Sequence, residues 1–267
     1  PCSIHNIEAA LAFAKNLKNL QERMENQLLL VMRVYIEKAR SATGWKGLLY
    51  DPHLDNSNDL VTGIVWTRRL LLDLASLEIP AAVEFLDPLA SCYFEDLVSW
   101  GFIGARTSSS QIHRQLASLL PLPIGFKNGT DGNVEQAING MLSARNPHTF
   151  LHVGQKGYLE IAKSEGNIDT HLVLRGSTKG ANYEKKFIQE AYEKIHKKHP
   201  SLCPRILIDC SHGNCQKEYK KQKDVFYQIV EYITKQDLPI LGMMLESNLE
   251  EGKQALSPFC SAHRSCA

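Results

Sequence analysis

Eight short apolar segments of this chain run directly into ionisable or metal-binding residues. In the segment LIDCSHGN, Leu207 and Ile208 are followed by Asp209, Ser211 and His212. Burying a carboxylate and an imidazole without partners costs several kcal/mol, on the order of what one core residue contributes. Taken alone, this segment also fits a strand that simply leaves the core. The same ending recurs along the chain, however, and the segments deliver Cys2 and His5, Arg33 and Lys38, Glu84, Arg106, Lys127, Arg175, His212 and Glu246.

Five of these residues are cations, namely Arg33, Lys38, Arg106, Lys127 and Arg175. A single Lys or Arg is more often a solvated surface charge than part of a site. Five cations gathered in one pocket would repel one another, so a polyanionic ligand has to offset them. The planar fork of Arg fits phosphate or carboxylate, and Lys adds a point charge. We therefore expect a phosphorylated acid or two phosphorylated substrates; there is no Walker A sequence, and GTDG at 129–132 is not a dinucleotide-binding fingerprint.

A second group combines a thiolate, an imidazole and a carboxylate, from Cys2, His212 and Glu246. Together these donors suit a divalent first-row metal ion. They lie far apart in the sequence, and a single Cys is more often a small buried apolar residue than a ligand. Cys210 and Cys215, on either side of His212, are competing ligands or bystanders.

The segments between these residues alternate between helical and apolar patterns. Helix-period apolar residues predict helices over 6–25, 58–76, 132–144, 183–199 and 217–235, and 149–167 is typical of a β-hairpin. Continuous apolar strands between helices indicate a parallel sheet covered on both faces. One end of a (β/α)₈ barrel gathers residues from every strand, whereas an open doubly wound sheet concentrates them at one switch point. The sequence therefore favours an α/β fold of the TIM (β/α)₈ barrel type, in a single domain with a β-hairpin insertion.

The composition narrows the class of protein. The 267 residues are 43% hydrophobic and 22% charged, with a formal net charge of +1, which gives no general case for nucleic-acid binding. No apolar run approaches the roughly 18–20 residues of a membrane span. Seven irregularly spaced cysteines favour a reducing compartment, either the cytoplasm or an organelle of similar redox potential. Because the chain begins Pro1-Cys2 without a Met, we expect a fragment of a longer chain.

Several motifs closely resemble the microbial type I 3-deoxy-D-arabino-heptulosonate-7-phosphate (DAHP) synthases. They are PCSIH, MRVYIEKAR, GWKGLLYDPHLDNS, PAAVEFLD, GARTSSSQIHRQLAS, GFKNGTDG, LRG, IDCSHGN and LESNLEEGKQAL, in order from Pro1 to about Leu256. The resemblance implies a metal-dependent barrel that condenses phosphoenolpyruvate with erythrose 4-phosphate at the entry to the shikimate pathway. It implies the branch that responds to aromatic amino acids, with a homo-oligomer in the full-length form. The sister 3-deoxy-octulosonate 8-phosphate synthases fit less well.

The resemblance also implies roles for individual residues. Its substrate-binding set is Arg33, Lys38, Arg40, Ser41, Glu84, Gly104, Ala105, Arg106, Lys127 and Arg175. Within this set Arg106, Lys127 and Arg175 match the phosphoenolpyruvate-binding residues, and Arg40 and Ser41 match those that hold the erythrose phosphate. Catalytic roles fall to Lys38, Lys127 and His212. The implied metal ligands are Cys2, His212 and Glu246, for Mn, Fe, Co, Zn or Cu.

The C-terminal end departs from the family pattern. The family has a fourth metal ligand, an Asp after the last barrel strand, but no Asp or Glu follows Glu251 here. We therefore expect a barrel over 1–256 that lacks its eighth outer helix, and an aberrant or disordered tail over 257–267. From this we expect little or no synthase activity from the chain as written. The alternative function is an impaired barrel that binds phosphorylated ligands or a partner subunit without turnover.

Overall fold

The computed structural model describes residues 3–24, 27–40, 43–154, 156–235 and 238–252. The predicted tail, the predicted loss of the eighth outer helix and two predicted site residues, Cys2 and Ser41, lie outside these ranges. The chain divides into two compact units. One is Pro1–Trp100 with Ser247–Ala267, and the other is Gly101–Glu246.

The described part of the first unit contains two long helices and two short parallel strands. In chain order they are α1 (Ile7–Arg23), β1 (Met32–Arg33), α2 (Leu60–Ser76) and β2 (Ala81–Glu84), followed by 3₁₀ turns at Ser91–Tyr93 and Glu95–Leu97. The register of the strands aligns Arg33 with Ala82. The backbone N–H of Ile4 donates to the carbonyl of Tyr35 at 3.0 Å, which places the start of the chain beside the residues that follow β1.

Sequence explains where the helices of the first unit begin and which face they bury. Asn6 caps α1 and Asp59 caps α2, each through a side-chain oxygen that accepts an N–H of the first turn. On α2, Leu70, Leu71 and Leu74 recur at helical spacing and are fully buried. These leucines therefore form the buried face of α2.

The second unit alternates strands and helices. Its described elements are β3 (Trp100–Ile103, beginning at the boundary), α3 (Gln111–Leu119), β4 (Ile124–Lys127), α4 (Val134–Ala144), β5 (His148–Val153), β6 (Leu159–Ser164), β7 (Thr170–Leu174), α5 (Lys185–Lys198), β8 (Ile206–Asp209), α6 (Gln222–Lys235) and β9 (Ile240–Met244). A 3₁₀ turn, Tyr219–Lys221, precedes α6. Among the helices of the described residues, none is both long enough and apolar enough to cross a bilayer.

Five strands of the second unit form one parallel array in the order β3, β4, β7, β8, β9. β5 and β6 stand apart as an antiparallel hairpin, as the sequence predicted. The strands of the array carry fully buried apolar side chains, among them Phe102, Phe126 and Leu172. Since parallel strands all end on the same side, their C-terminal ends form one line, which we call the carboxyl edge.

Candidate active site

The carboxyl edge of the second unit carries the predicted functional side chains of its strands. Lys127 is the last residue of β4, and Arg175 directly follows β7. Glu246 stands two residues beyond β9. Lys127 and Arg175 are buried, with 3% and 9% of their surface exposed, so both cations have lost most of their contact with water. Buried cations require compensating partners.

The predicted substrate-binding residues Gly104, Ala105 and Arg106 form one turn after β3. The carbonyl of Gly104 accepts the hydroxyl of buried Ser108 at 2.9 Å, and the same hydroxyl lies 2.7 Å from the carbonyl of Lys127. This serine therefore joins the turn that carries Arg106 to the end of β4. The resemblance named Gly104, Ala105 and Arg106, but nothing in the sequence singled out Ser108.

The contacts of Asp209 explain how β8 can end in charged and polar residues. Its carboxylate is fully buried, yet its Oδ2 accepts Lys127 Nζ at 3.0 Å and His212 Nδ1 at 2.9 Å. The other oxygen, Oδ1, accepts the backbone N–H of Ser211 at 3.0 Å and also the Ser211 hydroxyl. Every group that the sequence placed at this strand end is thus paired. One carboxylate oxygen connects a buried lysine with the histidine of the candidate metal site.

His212 and Glu246 come together on the other side of the imidazole. Nε2 of His212 lies 3.6 Å from Oε1 of Glu246, and about a quarter of each side chain is exposed. Gln222, the first residue of α6, holds the backbone of Glu246 by two hydrogen bonds, at 2.9 and 3.1 Å. Because Asp209 occupies Nδ1, Nε2 is the ring nitrogen that faces the glutamate. Within the described residues no three potential metal-ligating side chains form a cluster.

Arg175 and Arg106 are close enough to influence one another. Burial lowers the pKa of Arg175, and Arg106 lowers it further, whereas Asp209 and Glu246 oppose the shift. Two cations held near each other in a partly buried site are stabilised by a bound anion. The carboxyl edge therefore brings together two of the cations that were predicted to bind a phosphorylated ligand, and their binding role stays a prediction.

In the first unit, Tyr35, which the charge and metal-ligand patterns did not single out, contacts three of the predicted site residues. The ring of Tyr35 lies under the Arg33 guanidinium at 5.2 Å and under Lys38 Nζ at 4.8 Å, measured to the ring centroid. Its hydroxyl donates to Oε2 of Glu84, the last residue of β2. The signal was present in the motif RVYIEK, since a tyrosine between two cations is a cation–π candidate.

Arg40 lies on the surface of the first unit. Its Nε donates to the carbonyl of Trp45 at 2.7 Å, which ties the side chain back onto the following loop. Ser41, its predicted partner in holding a phosphate, lies outside the described residues.

Glu37 is a buried carboxylic acid that the sequence patterns did not predict. Only 1% of it is exposed, and its Oε2 lies 3.4 Å from the backbone nitrogens of Leu86 and Asp87. The hydroxyl of Tyr50 donates to Asp87 at 2.6 Å. Burial raises the pKa of Glu37 to about 8, and the nearby Asp87 carboxylate adds to the shift against the opposing hydrogen bonds. Glu37 is therefore protonated at neutral pH.

The raised pKa of Glu37 predicts that folding stability falls as pH rises. In the folded protein the pKa of Glu37, about 8, lies above its ordinary 4.5, so the protonated carboxyl contributes fully to the free energy of unfolding below pH 4.5. This contribution is lost as the pH rises through 8. The full loss is up to about 4–5 kcal/mol. We expect Glu37→Gln to flatten this dependence when urea unfolding is measured at pH 5.5 and pH 8.5. Equal pH dependence in the variant and the parent chain would contradict the assignment.

The two cysteines beside His212 are both buried. Burial raises the pKa of Cys210 to about 12, so this thiol stays protonated at neutral pH. Cys215 donates its thiol to the carbonyl of His212 at 3.6 Å. The hydrogen bond of Cys215 to the backbone favours the bystander interpretation for that cysteine.

The chain matches the DAHP synthetase I family over residues 1–264. It is 44% identical over 255 residues to the Tyr-sensitive phospho-2-dehydro-3-deoxyheptonate aldolase of Escherichia coli strain K12, which covers 96% of this chain and 71% of that protein. It is 46% identical over 256 residues to the Phe-sensitive aldolase of the same organism, with 96% and 72% covered.

A solved structure shows the same similarity in three dimensions. The phospho-2-dehydro-3-deoxyheptonate aldolase of Francisella tularensis SCHU S4 superposes with a TM-score of 0.92 at 43% identity, over 96% of this chain and 74% of the other. That structure has the TIM barrel fold, so the predicted (β/α)₈ class is confirmed.

Proposed function

This chain belongs to the DAHP synthetase I family, and we propose that it condenses phosphoenolpyruvate with erythrose 4-phosphate and water to give DAHP and phosphate. This is the first step of the shikimate pathway. One observation carries the proposal at the level of the site. Arg106, Lys127 and Arg175 lie along one carboxyl edge with a buried Asp209 that links Lys127 to His212. A phosphorylated acid offsets these cations, as the chemistry of the reaction requires.

We assign phosphoenolpyruvate to Arg106, Lys127 and Arg175. Each charge-assisted hydrogen bond to the substrate contributes about 1.5–3 kcal/mol, and the guanidinium fork also fixes the orientation of the anion. Lys127 is held by Asp209, so its ammonium group presents a fixed positive charge instead of a flexible one. In the first unit, Lys38 and Arg40 are assigned to erythrose 4-phosphate, and Glu84 is kept in place by Tyr35.

We further propose that Cys2, His212 and Glu246 hold a divalent metal ion. The described donors fit such an ion, because His212 Nε2 and Glu246 Oε1 are 3.6 Å apart and Asp209 orients the ring from Nδ1. Cys2 lies outside the described residues. When bound, the ion supplies Lewis-acid polarisation of the aldehyde carbonyl. Mn, Fe, Co, Zn and Cu all suit the mixed donor set.

The residues of the chain then supply positioning and charge. Carbon C3 of phosphoenolpyruvate attacks the aldehyde carbon, and the new bond joins two anionic substrates that repel each other in water. The cations of each unit neutralise and orient the substrate assigned to them, and positioning and charge stabilisation of this kind are large contributions to such a step. Water then adds at C2, and phosphate leaves with cleavage of its C–O bond. Lys127 remains beside the departing phosphate and stabilises its charge.

Turnover with both substrates tests the proposal. In a chain given a family-like C-terminal end with its Asp, we expect consumption of phosphoenolpyruvate to return after chelation only when Mn²⁺ and erythrose 4-phosphate are added together; the chain as written should show little or none. Binding of phosphoenolpyruvate without consumption would favour the impaired barrel instead. The low activity expected from the sequence concerns residues outside the described ranges, and it stays a prediction.

The proposal extends to regulation by an aromatic amino acid. The relatives described above are named Tyr-sensitive and Phe-sensitive. We propose that an aromatic amino acid also inhibits this protein. Homo-oligomer formation and a cytoplasmic location remain predictions from the sequence.

Tyr35 allows a paired test of the site in the first unit. Tyr35→Phe keeps the ring beneath Arg33 and Lys38 but removes the hydroxyl that reaches Glu84. Tyr35→Leu removes the ring as well, and we expect an additional loss of about 1–2 kcal/mol, or roughly five- to thirtyfold in kcat/KM. Steady-state kinetics on the two variants measures the difference. Identical kcat/KM values for Phe and Leu would show that the ring has no role in placing the cations.

A further inference from the structure

Three buried asparagines surround the backbone of Arg175. Asn128, Asn182 and Asn214 are 0%, 8% and 4% exposed. They come from three places in the second unit, the residue after β4, the loop before α5 and the turn after β8. Two of them, Asn128 and Asn214, stand in the quoted family motifs, but neither the cation pattern nor the metal-ligand pattern of the sequence distinguishes any of the three from ordinary loop residues.

Asn128 holds Arg175 from the side of β4. Its Oδ1 accepts the backbone N–H of Arg175 at 2.8 Å, and its Nδ2 donates to the carbonyl of Gly176 at 3.1 Å. The same Nδ2 donates to the carbonyl of Gly129 at 2.9 Å. Since Asn128 directly follows Lys127, this amide links the backbones that carry two of the proposed phosphoenolpyruvate-binding cations.

Asn182 and Asn214 complete the support from the other side. Oδ1 of Asn182 accepts the N–H of Gly176 at 2.7 Å, and its Nδ2 donates to Oδ1 of Asn128 at 3.2 Å. Its own backbone N–H donates to Oδ1 of Asn214 at 2.8 Å. Nδ2 of Asn214 donates to the carbonyl of Leu174 at 3.2 Å and to that of Asp209 at 2.8 Å. The peptide groups on both sides of Arg175 are thus held by amide side chains.

Glycine at 176 and 213 makes this arrangement possible. A Cβ atom on Gly176, whose φ is +68°, would lie 2.4 Å from the backbone nitrogen of Asn214. A Cβ atom on Gly213 would lie 2.2 Å from the backbone nitrogen of Ser177. The two loops therefore pass at backbone contact distance, which leaves Arg175 little freedom to shift.

The residue type is chemically appropriate for this role. An amide side chain donates and accepts at once, so it can hold both N–H and C=O groups. It is also neutral, so it does not cancel the positive charge of Arg106, Lys127 and Arg175 as an added carboxylate would. We propose that Asn128, Asn182 and Asn214 act as one positioning unit, which holds the Arg175 backbone so that its guanidinium meets phosphoenolpyruvate in a fixed place.

This inference rests on the proposed function, and Asn182→Ala tests it. We expect the substitution to raise the KM and the Kd for phosphoenolpyruvate about ten- to a hundredfold, because small displacements of a binding group have effects of this size. The KM for erythrose 4-phosphate should stay within about twofold. The matched control is Asn139→Ala, which removes an exposed amide on α4 that accepts Lys198 at 2.7 Å. This control should behave like the parent chain.

A double-mutant cycle separates positioning from general structural damage. If the unit acts through Arg175, Asn182→Ala adds nothing to the loss of phosphoenolpyruvate binding already caused by Arg175→Ala. Equal loss in both backgrounds, or a parallel rise in KM for both substrates, would overturn the proposal. Asn182→Ser, which stays neutral and keeps a polar side chain, replaces the alanine variant if that fails to fold, and the same cycle applies. If the parent chain binds and turns over no phosphoenolpyruvate, the proposed function fails instead.

Discussion

Asp209→Asn is expected to weaken the protein and its metal site together. Asp209 is fully buried and accepts both Lys127 and His212 through one oxygen. Removing the charge leaves Lys127 buried without its counterion, and breaking a buried pair in this way costs about 3–5 kcal/mol. His212 loses the partner that orients its ring, which typically lowers metal affinity roughly ten- to a hundredfold. Urea unfolding and a competitive Mn²⁺ titration measure the two effects.

The chain offers a matched control for this substitution. Asp96 pairs with Arg68 at 2.8 Å, but both side chains are about half exposed. Solvent screens such a pair, so Asp96→Asn should change stability by less than about 1 kcal/mol and leave metal affinity unchanged. If Asp209→Asn were as stable as Asp96→Asn and bound Mn²⁺ as the parent chain does, the proposed link between lysine, carboxylate and histidine would be wrong.

Arg175→Ala is expected to weaken phosphoenolpyruvate binding by about tenfold to a hundredfold, which corresponds to one charge-assisted contact of about 1.5–3 kcal/mol. Stability without substrate should change little. The guanidinium is desolvated and lies near Arg106, so its removal relieves repulsion while it removes contacts. Isothermal titration with phosphoenolpyruvate measures affinity, and thermal unfolding checks the fold.

Arg205→Ala is the control for the loss of one positive charge. Arg205 is exposed and directly precedes β8, at the end of the strand opposite the carboxyl edge. Its removal lowers the net charge by the same amount, but it should leave the Kd for phosphoenolpyruvate within about twofold because exposed charges more than a Debye length apart are screened. Equal weakening by both substitutions would indicate a general electrostatic effect and no specific contact at Arg175.

The helices and the identities of the edge residues were predictable because they depend on local patterns. Apolar spacing located α1, α2, α4 and α5 within a few residues. The prediction for α6 began too early, because Tyr219–Lys221 forms a 3₁₀ turn before the helix starts at Gln222. Residues 217–221 have helical composition, but Gln216 and Lys217 adopt positive φ angles that an α-helix does not allow.

The supporting residues were not predictable in the same way. Asp209 was placed near the site, but only three-dimensional contacts reveal that one oxygen serves both Lys127 and His212. The three asparagines hold backbone groups that are mostly distant in the sequence, and the hydroxyl of Tyr35 reaches Glu84, 49 residues further along the chain. Charge and metal-ligand patterns identify groups that bind a ligand directly, whereas groups that hold those residues in place have no distinctive type or spacing.

The fate of carbon C3 of phosphoenolpyruvate tests the central claim most directly. Phosphoenolpyruvate labelled with carbon-13 at C3 is mixed with erythrose 4-phosphate, Mn²⁺ and the protein given a family-like C-terminal end with its Asp, and the reaction is followed by carbon and phosphorus NMR. We expect the label to appear in a methylene carbon bonded to the former aldehyde carbon, with one inorganic phosphate released for each new bond. Label that stays in phosphoenolpyruvate, or that appears in pyruvate while erythrose 4-phosphate is unchanged, would contradict it.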